Sequence, residues 1–194
     1  MPRNIVIIQG HPDKAGGHLC HSLADAYAEG AEAAANSVRR IELAELDIPL
    51  LRSQVEFESG TLPASLQAAG DAIRWAEHIV LVFPLWLGSM PALVKAFLEQ
   101  TLRPGFAFAY QEKGWPKMLL RGRSARIVVT MGMPAFAYRW YFFSHAVRAL
   151  NRNVLGFVGI SPIRTTFFGM VENTSEKKRR GWLNQMRDFG SHGR

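Results

Sequence analysis

Five short runs of β-branched and other apolar residues alternate along the chain with segments whose apolar residues recur every three or four positions. Such alternation predicts strands separated by helices. The predicted strands are residues 3–9, 37–43, 78–83, 125–130 and 163–168. The third of them, HIVLVF, is apolar at nearly every position, which is typical of a central parallel strand covered on both faces.

The helical segments follow the strands, and some of their ends carry capping signals. Helices are predicted over residues 19–31, 66–76, 91–102, 136–151 and 173–189, and residues 44–63 are expected to be irregular. Ser89 is a candidate cap for the third helix, with Pro91 in its first turn, and Asn-Thr-Ser-Glu at 173–176 predicts a capping box for the last. The alternation as a whole predicts a single α/β domain, with a doubly wound parallel sheet.

Composition narrows the class of protein. The chain has 194 residues, 48% of them hydrophobic, which suits one packed domain rather than a disordered or fibrous protein. Its one cysteine, Cys20, cannot form an internal disulfide, and the first residues lack the features of a secretory signal. No apolar run approaches the ~18 residues of a bilayer span. A cytoplasmic protein is expected, either free or peripheral at the inner face of the membrane.

The formal net charge of +7 raises the question of a nucleic-acid partner. The basic residues are scattered, however, apart from the run Lys-Lys-Arg-Arg at 177–180 in the predicted last helix. We interpret this run as a solvated helix face, with a phosphate-binding patch as the alternative. No nucleic-acid partner is expected, and the positive charge is compatible with the attraction of an anionic nicotinamide dinucleotide.

In a doubly wound sheet, ligands bind beyond the carboxyl ends of the strands. The chemistry is therefore expected in residues 10–18, 84–91 and 131–138. The first of these loops contains three glycines and leads into a helix N-terminus, whose free N–H groups suit a phosphate. The loop lacks both the Gly-Lys-Ser/Thr ending of a P-loop and the G-x-G-x-x-G fingerprint.

The same loop and the start of the next helix contain His11, His18, Cys20 and His21, whose side chains could also bind zinc. No second cluster of such residues completes a zinc site. Donation to a phosphate is therefore the favoured role for the histidines, and no metal is expected.

Several motifs in order along the chain resemble the flavodoxin-like NAD(P)H:quinone oxidoreductase family. They are Gly-His-Pro at 10–12, PLWLGSMPALVK at 84–95, GFAFAY at 105–110, Thr-Met-Gly at 130–132 followed by Tyr138, and VLGFVG at 154–159. The family includes mammalian two-electron quinone reductases, bacterial modulators of drug activity and ancillary subunits of potassium efflux systems. The resemblance implies a flavodoxin-like sheet in the order 2-1-3-4-5.

The resemblance also implies a role for individual residues. The flavin phosphate would be bound by His11, His18, Leu19 and Cys20, and the ring by Pro84, Leu85, Trp86, Leu87, Gly88, Thr130 and Gly132. Tyr138 and His145 would be catalytic, sharing a proton as the flavin is reduced. His-Leu-Cys at 18–20 replaces the Ser-Phe-Asn usual in the family. FAD is the expected cofactor, with FMN as the alternative.

The activity implied is a two-electron transfer from NAD(P)H through the flavin to a quinone or a similar planar acceptor. Relatives are homodimers with sites between their subunits, and the aromatic block 136–143 is a candidate for the interface. The alternative is a regulatory flavoprotein bound to a membrane transporter that exports potassium. A one-electron carrier is disfavoured because the first loop lacks the Thr/Ser-rich phosphate cradle of flavodoxins.

Overall fold

The computed structural model describes residues 2–194, in which a parallel sheet is flanked by helices and accompanied by a small hairpin. The strands are β1 Asn4–Gln9, β2 Ser37–Glu42, β3 His78–Pro84, β4 Phe108–Ala109, β5 Lys117–Met118, β6 Ser124–Met131 and β7 Ile163–Gly169. The helices are α1 Leu19–Ala33, α2 Gln54–Ser59, α3 Gln67–Trp75, α4 Ala92–Thr101, α5 Ala135–Trp140, α6 His145–Ala149 and α7 Glu176–Ser191.

Five of the strands form one parallel sheet in the order β2-β1-β3-β6-β7. Counted within the sheet, this is the order 2-1-3-4-5, so the predicted doubly wound, flavodoxin-like fold is confirmed. The register places Gln9 beside Val82 and Pro84 beside Thr130. β1, β3 and β6 consequently end at one edge of the sheet, and the loops that follow them leave it side by side.

Helices pack on both faces of the sheet around two apolar cores. On one face, α1 and α7 cover strand residues such as Ile7, Val80 and Val128. On the other face, α3 and α4 cover residues such as Leu81 and Ile127. Because successive side chains of a strand point to opposite faces, a strand covered on both sides must be apolar throughout. This explains the nearly continuous apolar run in β3.

The expectation that residues 44–63 are irregular is wrong in part, because α2 lies within them. Ser53 caps this helix, and its hydroxyl oxygen accepts a hydrogen bond from the Glu56 N–H at 3.1 Å. Ser-x-x-Glu is a capping signal that the sequence carries at this point. The hairpin of β4 and β5 was not predicted, since paired strands of two residues have too little periodicity to detect.

The helix predicted over residues 136–151 is broken into α5 and α6. Between them, Phe143 and Ser144 have φ values of 51° and 50°, a left-handed conformation that ends an α-helix. The Ser144 N–H closes the turn by donating to the Tyr138 carbonyl oxygen at 3.0 Å. After α6 the chain continues as a wider π-helical turn over Leu150–Leu155.

Two predicted helix starts are shifted. α4 begins after Pro91, which is itself the N-cap, so the prediction of a Ser89 cap is wrong. The last helix begins at Glu176, and its cap is Ser175, whose oxygen accepts from the Lys178 N–H at 3.4 Å. The basic side chains of residues 177–180 are exposed on α7.

α1 and α7 approach each other closely through glycines. A Cβ atom built on Gly30 would lie 2.0 Å from the Arg187 carbonyl oxygen, and one built on Gly190 would lie 2.1 Å from the Tyr27 carbonyl oxygen. Only a residue without a side chain permits main-chain contact at these distances. The two glycines therefore set the spacing of the helices that support the first strand and its loop.

Candidate functional site

The loops after β1, β3, β6 and β7 enclose a cleft of about 350 Å³ at the carboxyl edge of the sheet. Ligand pockets of proteins begin at roughly this size. The predicted cofactor-binding residues that line the cleft are His11, His18, Leu19, Cys20, Pro84, Leu85, Trp86, Thr130 and Gly132. The structure thus brings the three predicted loops, which are distant in sequence, to one cavity. Leu87 and Gly88 are not part of its lining and lie at the tip of the second loop.

The N-terminus of α1 faces this cleft. His18 is the N-cap, with an extended backbone and no side-chain hydrogen bond to the helix. The N–H groups of the next residues, Leu19 and Cys20, have no partner within the helix. The carbonyl groups that would accept from them belong to residues before the helix begins. These free donors and the positive end of the helix dipole favour an anion at this end of the cavity.

Three histidines surround the same helix start. The rings of His11 and His18 stack with centroids 3.9 Å apart, and the His21 ring lies 5.5 Å from that of His11. Burial, followed by the charges of His18 and His21, lowers the pKa of His11 to about 4 despite the opposing effect of Asp13. His11 is therefore neutral near pH 7, and a bound anion would favour its protonation.

Asp13 is the carboxylate next to this cluster. Its Oδ2 atom lies 2.7 Å from Nε2 of His18, and its Oδ1 atom accepts from the Ala15 N–H at 2.9 Å. The hydrogen bond with His18, followed by the one from Ala15, lowers the pKa of Asp13. The loop is thereby folded on itself, and Asp13 holds the His18 ring in place.

Cys20 links the first loop to the third. Its Sγ atom lies 3.1 Å from Oγ1 of Thr130, and both residues are buried. Burial raises the pKa of the Cys20 thiol to about 12, against a smaller lowering by Thr130, so a reactive thiolate is absent at neutral pH. The Thr130 carbonyl oxygen accepts from the Leu85 N–H at 2.7 Å, which ties in the second loop.

The second loop contains a tight turn held by the main chain. The Trp86 N–H donates to the Ser89 carbonyl oxygen at 2.9 Å, and the Ser89 N–H donates to the Trp86 carbonyl oxygen at 2.9 Å. Leu87 and Gly88, between them, have φ values of 48° and 75°. Positive φ at both central residues is the signature of a type I′ turn. The turn displays the Leu87 side chain fully to solvent and leaves Trp86 half exposed.

Tyr138 lies beneath this turn rather than in the cleft. Its ring is buried, and its hydroxyl donates to the Gly88 carbonyl oxygen at 3.1 Å. Burial raises the pKa of Tyr138, and the N–H of Val147 opposes the change. In this position the hydroxyl holds the tip of the second loop. Its catalytic role stays a prediction.

His145 is the first residue of α6, and its side chain is exposed. Its ring lies 5.7 Å from the ring of Phe143 and does not line the cleft. The structure therefore does not bring His145 together with the nine residues that form the cavity wall. Its catalytic role also stays a prediction.

Sequence reasoning missed the wall contributed by the loop after β7. Val171 and Glu172 line the cleft, together with Met131 at the end of β6. The Val171 N–H donates to the Met131 carbonyl oxygen at 3.3 Å, which holds this wall in place. A signal was present, because β7 neighbours β6 and the loop after it leaves the same edge of the sheet. The carboxylate of Glu172 makes this side of the cavity acidic.

Gln9, the last residue of β1, is buried, and only one of its two polar side-chain atoms has a hydrogen-bond partner. Its Oε1 atom accepts from the His11 N–H at 2.5 Å, while Nε2 has no partner among the described residues. Leaving a buried amide donor unpaired costs about 1–3 kcal/mol. A ligand or water with an acceptor oxygen beside the first loop would remove that cost.

Within residues 2–194, no three His, Cys, Asp or Glu side chains are arranged to hold a metal ion. No helix within the described chain is both long and apolar enough to span a bilayer.

The geometry defines a flavodoxin-like α/β protein with a ligand cleft at the carboxyl edge of its sheet. Residues 3–189 match the family described by its flavodoxin-like fold, and the chain belongs to that family. The resemblance inferred from the motifs is confirmed.

Relatives and solved structures agree on this assignment. An NAD(P)H oxidoreductase of Haemophilus influenzae, itself described as uncharacterized, is 26% identical over 146 residues, or 73% of this chain and 72% of the relative. An FMN-dependent NADH:quinone oxidoreductase of Listeria innocua is 28% identical over 148 residues, or 71% of this chain and 69% of the relative. The structure of an NAD(P)H:quinone oxidoreductase from Methanothermobacter marburgensis superposes with a TM-score of 0.81 over 98% of each chain at 19% identity, which shows the shared fold.

Proposed function

We propose that this protein is an FMN-dependent NAD(P)H:quinone oxidoreductase. The observation that carries the proposal is the meeting of three loops in one cleft, where free helix N–H groups face the residues of a main-chain turn. The enzymatic names of the relatives in Haemophilus and Listeria support it. The cleft residues are suited to bind a phosphate at one end and a planar ring at the other.

The phosphate of the flavin fits the end of the cleft at α1. Leu19 and Cys20 offer unpaired N–H groups, and His11, whose Nδ1 accepts from the Asp13 N–H, offers a ring Nε2–H; His18 lines the same end with its Nε2 held by Asp13. Charge-assisted hydrogen bonds to a phosphate are about twice as strong as neutral ones. The buried, unpaired Nε2 of Gln9 supports an oxygen-bearing ligand beside this loop.

The ring system fits the opposite end, against residues 84–86 and the loop after β6. A bound flavin supplies hydride transfer, accepting two electrons from NAD(P)H and delivering them to the acceptor. Leu85, Trp86 and Gly132 line this part of the wall. The N–H groups of Leu85 and Trp86 are engaged with the Thr130 and Ser89 carbonyl oxygens, so this loop would contribute a rigid surface that orients the ring. Trp86 and Leu87 would shape the shelf for a planar acceptor.

We propose FMN as the cofactor. The family resemblance favoured FAD instead, with FMN as the alternative. The cleft of about 350 Å³ is at the lower end of ligand-pocket sizes, and the stacked rings of His11 and His18 lie at its phosphate end. An adenosine moiety attached beyond the phosphate would need further space. The relative in Listeria is named as FMN-dependent, which supports the smaller cofactor.

We also propose that a second copy of the chain covers the aromatic block 136–143. Phe136, Trp140 and Tyr141 are exposed by 69%, 75% and 77%, and Phe142 and Phe143 are also exposed. Contiguous exposed aromatic side chains are uncommon on monomers and typical of interfaces. This block follows the third loop of the cleft, so a partner seated there would border the acceptor shelf.

The direct test is reconstitution of the purified protein with FMN, followed by anaerobic addition of NADPH or NADH. We expect stoichiometric FMN uptake, bleaching of the flavin absorbance by the nicotinamide, and return of the colour on addition of a quinone. Sedimentation of the same sample should give a dimer. A protein that takes up neither FMN nor FAD, or whose flavin is not bleached by either nicotinamide, contradicts the proposal.

Substitution of His11 tests the phosphate end of the cleft. His11→Leu removes the ring donor beside the helix start without supplying another, and we expect the Kd for FMN to rise about tenfold, the equivalent of one charge-assisted hydrogen bond. The matched control is His192→Leu, since His192 is exposed near the end of α7, away from the cleft. Equal FMN affinities for the two variants, measured by fluorescence quenching, would remove His11 from the phosphate site.

Substitution of Tyr138 separates its two candidate roles. Tyr138→Phe removes the hydrogen bond to Gly88, and we expect FMN affinity to fall about three- to tenfold through loosening of the loop. At saturating FMN the rate of reduction and its pH profile should then be unchanged. Tyr141→Phe, in an exposed position nearby, is the control. A slower half-reaction at saturating FMN, with an altered pH profile, would instead establish a catalytic role for the Tyr138 hydroxyl.

A further inference from the structure

The three histidine rings at the phosphate end of the cleft lie close enough to affect one another's charge. The ring centroids are 3.9 Å apart for His11 and His18, 5.5 Å for His11 and His21, and 5.8 Å for His18 and His21. His11 and His18 line the cleft, and His21 lies in the first turn of α1. At such distances a charge on one ring opposes a charge on the others. Protonation of one histidine therefore disfavours protonation of its two neighbours.

Asp13 makes the first two of these rings unequal. Its carboxylate Oδ2 lies 2.7 Å from Nε2 of His18, whereas its main-chain N–H donates to Nδ1 of His11 at 3.2 Å. A carboxylate favours the charged form of a histidine, while a ring nitrogen that accepts a hydrogen bond must be unprotonated. Burial also lowers the pKa of His11 to about 4. His18 is consequently the ring placed to carry a proton, and His11 is held neutral.

The other charged or titratable groups near His18 come from the first loop, from α1 and from the chain after β7. Lys14 is exposed in the same loop, and burial raises the pKa of the Cys20 thiol to about 12, which keeps it neutral. Glu172 lines the cleft, and Arg179 of α7 donates to a main-chain oxygen beside it at 2.8 Å. The residues that the loops after β3 and β6 contribute to the cleft are uncharged.

The position of His18 at the start of α1 adds a further constraint on its charge. His18 is the N-cap, so its ring lies at the positive end of the helix dipole. That end opposes a cation and favours an anion. A phosphate monoester above pH 7 is almost entirely a dianion, because its second pKa is about 6. Two negative charges at the helix start would outweigh both the dipole and the neighbouring rings.

We propose that FMN binding is accompanied by protonation of His18, which Asp13 and the phosphate then stabilise together, so that the protein holds FMN more weakly as the pH rises above neutral. This inference rests on the proposed function. The proton comes from solvent and forms an N–H bond on the His18 ring. An imidazolium donates from both of its nitrogens, so Nε2 can keep its bond to Asp13 while Nδ1 donates to the anion.

The direction of the pH dependence follows from the balance of protons. The complex binds one proton that the free protein lacks, so FMN affinity is highest where protons are available and falls as the pH rises. A histidine ordinarily titrates near pH ~6.5, and a neighbouring dianion moves that titration upward. We expect the Kd for FMN to increase about five- to tenfold between pH 7 and 8.5.

Calorimetric titration with FMN at pH 7.5, in buffers of different ionisation enthalpy, counts the protons taken up. We expect between about 0.5 and 1 proton per FMN for the wild type. His18→Gln keeps a side-chain donor but cannot be protonated, so its proton uptake should be near zero and its Kd nearly constant from pH 7 to 8.5. This variant should fold, because the His18 side chain is 42% exposed. His192→Gln, at an exposed histidine near the end of α7, should match the wild type.

Two further titrations identify the groups that stabilise the proton. Asp13→Asn leaves His18 in place but removes its carboxylate partner, and should reduce proton uptake at pH 7.5 and move the fall in FMN affinity to lower pH. Riboflavin has the same ring system without the phosphate, and its binding should take up no proton.

The inference is overturned if the wild type binds FMN without proton uptake, or if His18→Gln takes up as many protons as His192→Gln. Both results leave the proposed function standing, since FMN is still bound. A protein that binds neither FMN nor FAD at any pH from 6 to 8.5 contradicts the proposed function, and the inference with it.

Discussion

Gly190→Ala should lower the free energy of unfolding by about 3 kcal/mol, the upper range for overpacking a well-filled interior. The new methyl group would lie 2.1 Å from the Tyr27 carbonyl oxygen and 2.8 Å from the Ala31 nitrogen, both main-chain atoms of α1. Main chain cannot rotate aside as a side chain can. The helices must therefore separate, and the apolar contacts of Met186 with the core beneath them would weaken.

Gly181→Ala is the matched control, because it makes the same substitution in the same helix. A Cβ atom on Gly181 meets nothing within 4 Å, and alanine favours a helix interior over glycine by about 0.5–1 kcal/mol. We expect this variant to be more stable than the wild type. Urea denaturation measures both changes, and a Gly190→Ala protein as stable as Gly181→Ala would contradict the close approach of α1 and α7.

The second large effect is a loss of stability in acid. His78 has a pKa lowered from 6.5 to about 3 in the folded state, because burial and nearby arginines oppose its protonation. Between these values the unfolded chain binds a proton that the folded chain does not, so stability rises with pH. The contribution is complete above pH 6.5 and is lost as the pH falls. The loss from His78 is about 3 kcal/mol at pH 4.

His78→Asn removes the titrating group and should flatten this dependence, whatever its effect on stability at neutral pH. His11, with a pKa lowered to about 4, contributes in the same direction and leaves a residual slope. The measurement is the unfolding free energy of both proteins at several pH values from 7 to 4. Parallel curves for wild type and His78→Asn would show that His78 is not buried as a neutral ring.

The parts of the fold that the sequence predicted are those governed by periodicity. β3 is apolar throughout because it is covered on both faces, and the loops that follow parallel strands meet at one edge as a matter of topology. For this reason His11, Leu85 and Thr130 could be assigned to one cleft before the structure was known. The motif resemblance supplied the expected chemistry of these loops, which periodicity does not carry.

The parts that sequence reasoning missed depend on local backbone conformation and on contacts distant in sequence. Phe143 and Ser144 have left-handed backbone conformations and break a segment in which apolar residues recur at helical spacing. Neither phenylalanine nor serine is a residue type that predicts such a break. Ser89 has the chemistry of a cap but is paired with Trp86 across a turn. Tyr138 follows the motif expected of a site residue, yet the approach of Gly88 places its hydroxyl below the loop.

The turn at residues 86–89 also bears on how such a protein can diverge. Both of its hydrogen bonds join main-chain atoms of Trp86 and Ser89, so the fold of the turn does not require the leucine side chain at position 87. That side chain is fully exposed, and its positive φ is one that asparagine or glycine adopts more easily. Mutation at Leu87 is therefore nearly free of structural constraint. Under the proposed function, in which Leu87 helps to shape the acceptor shelf, evolution or laboratory selection could alter the shelf at this one position while leaving the cleft beneath it intact.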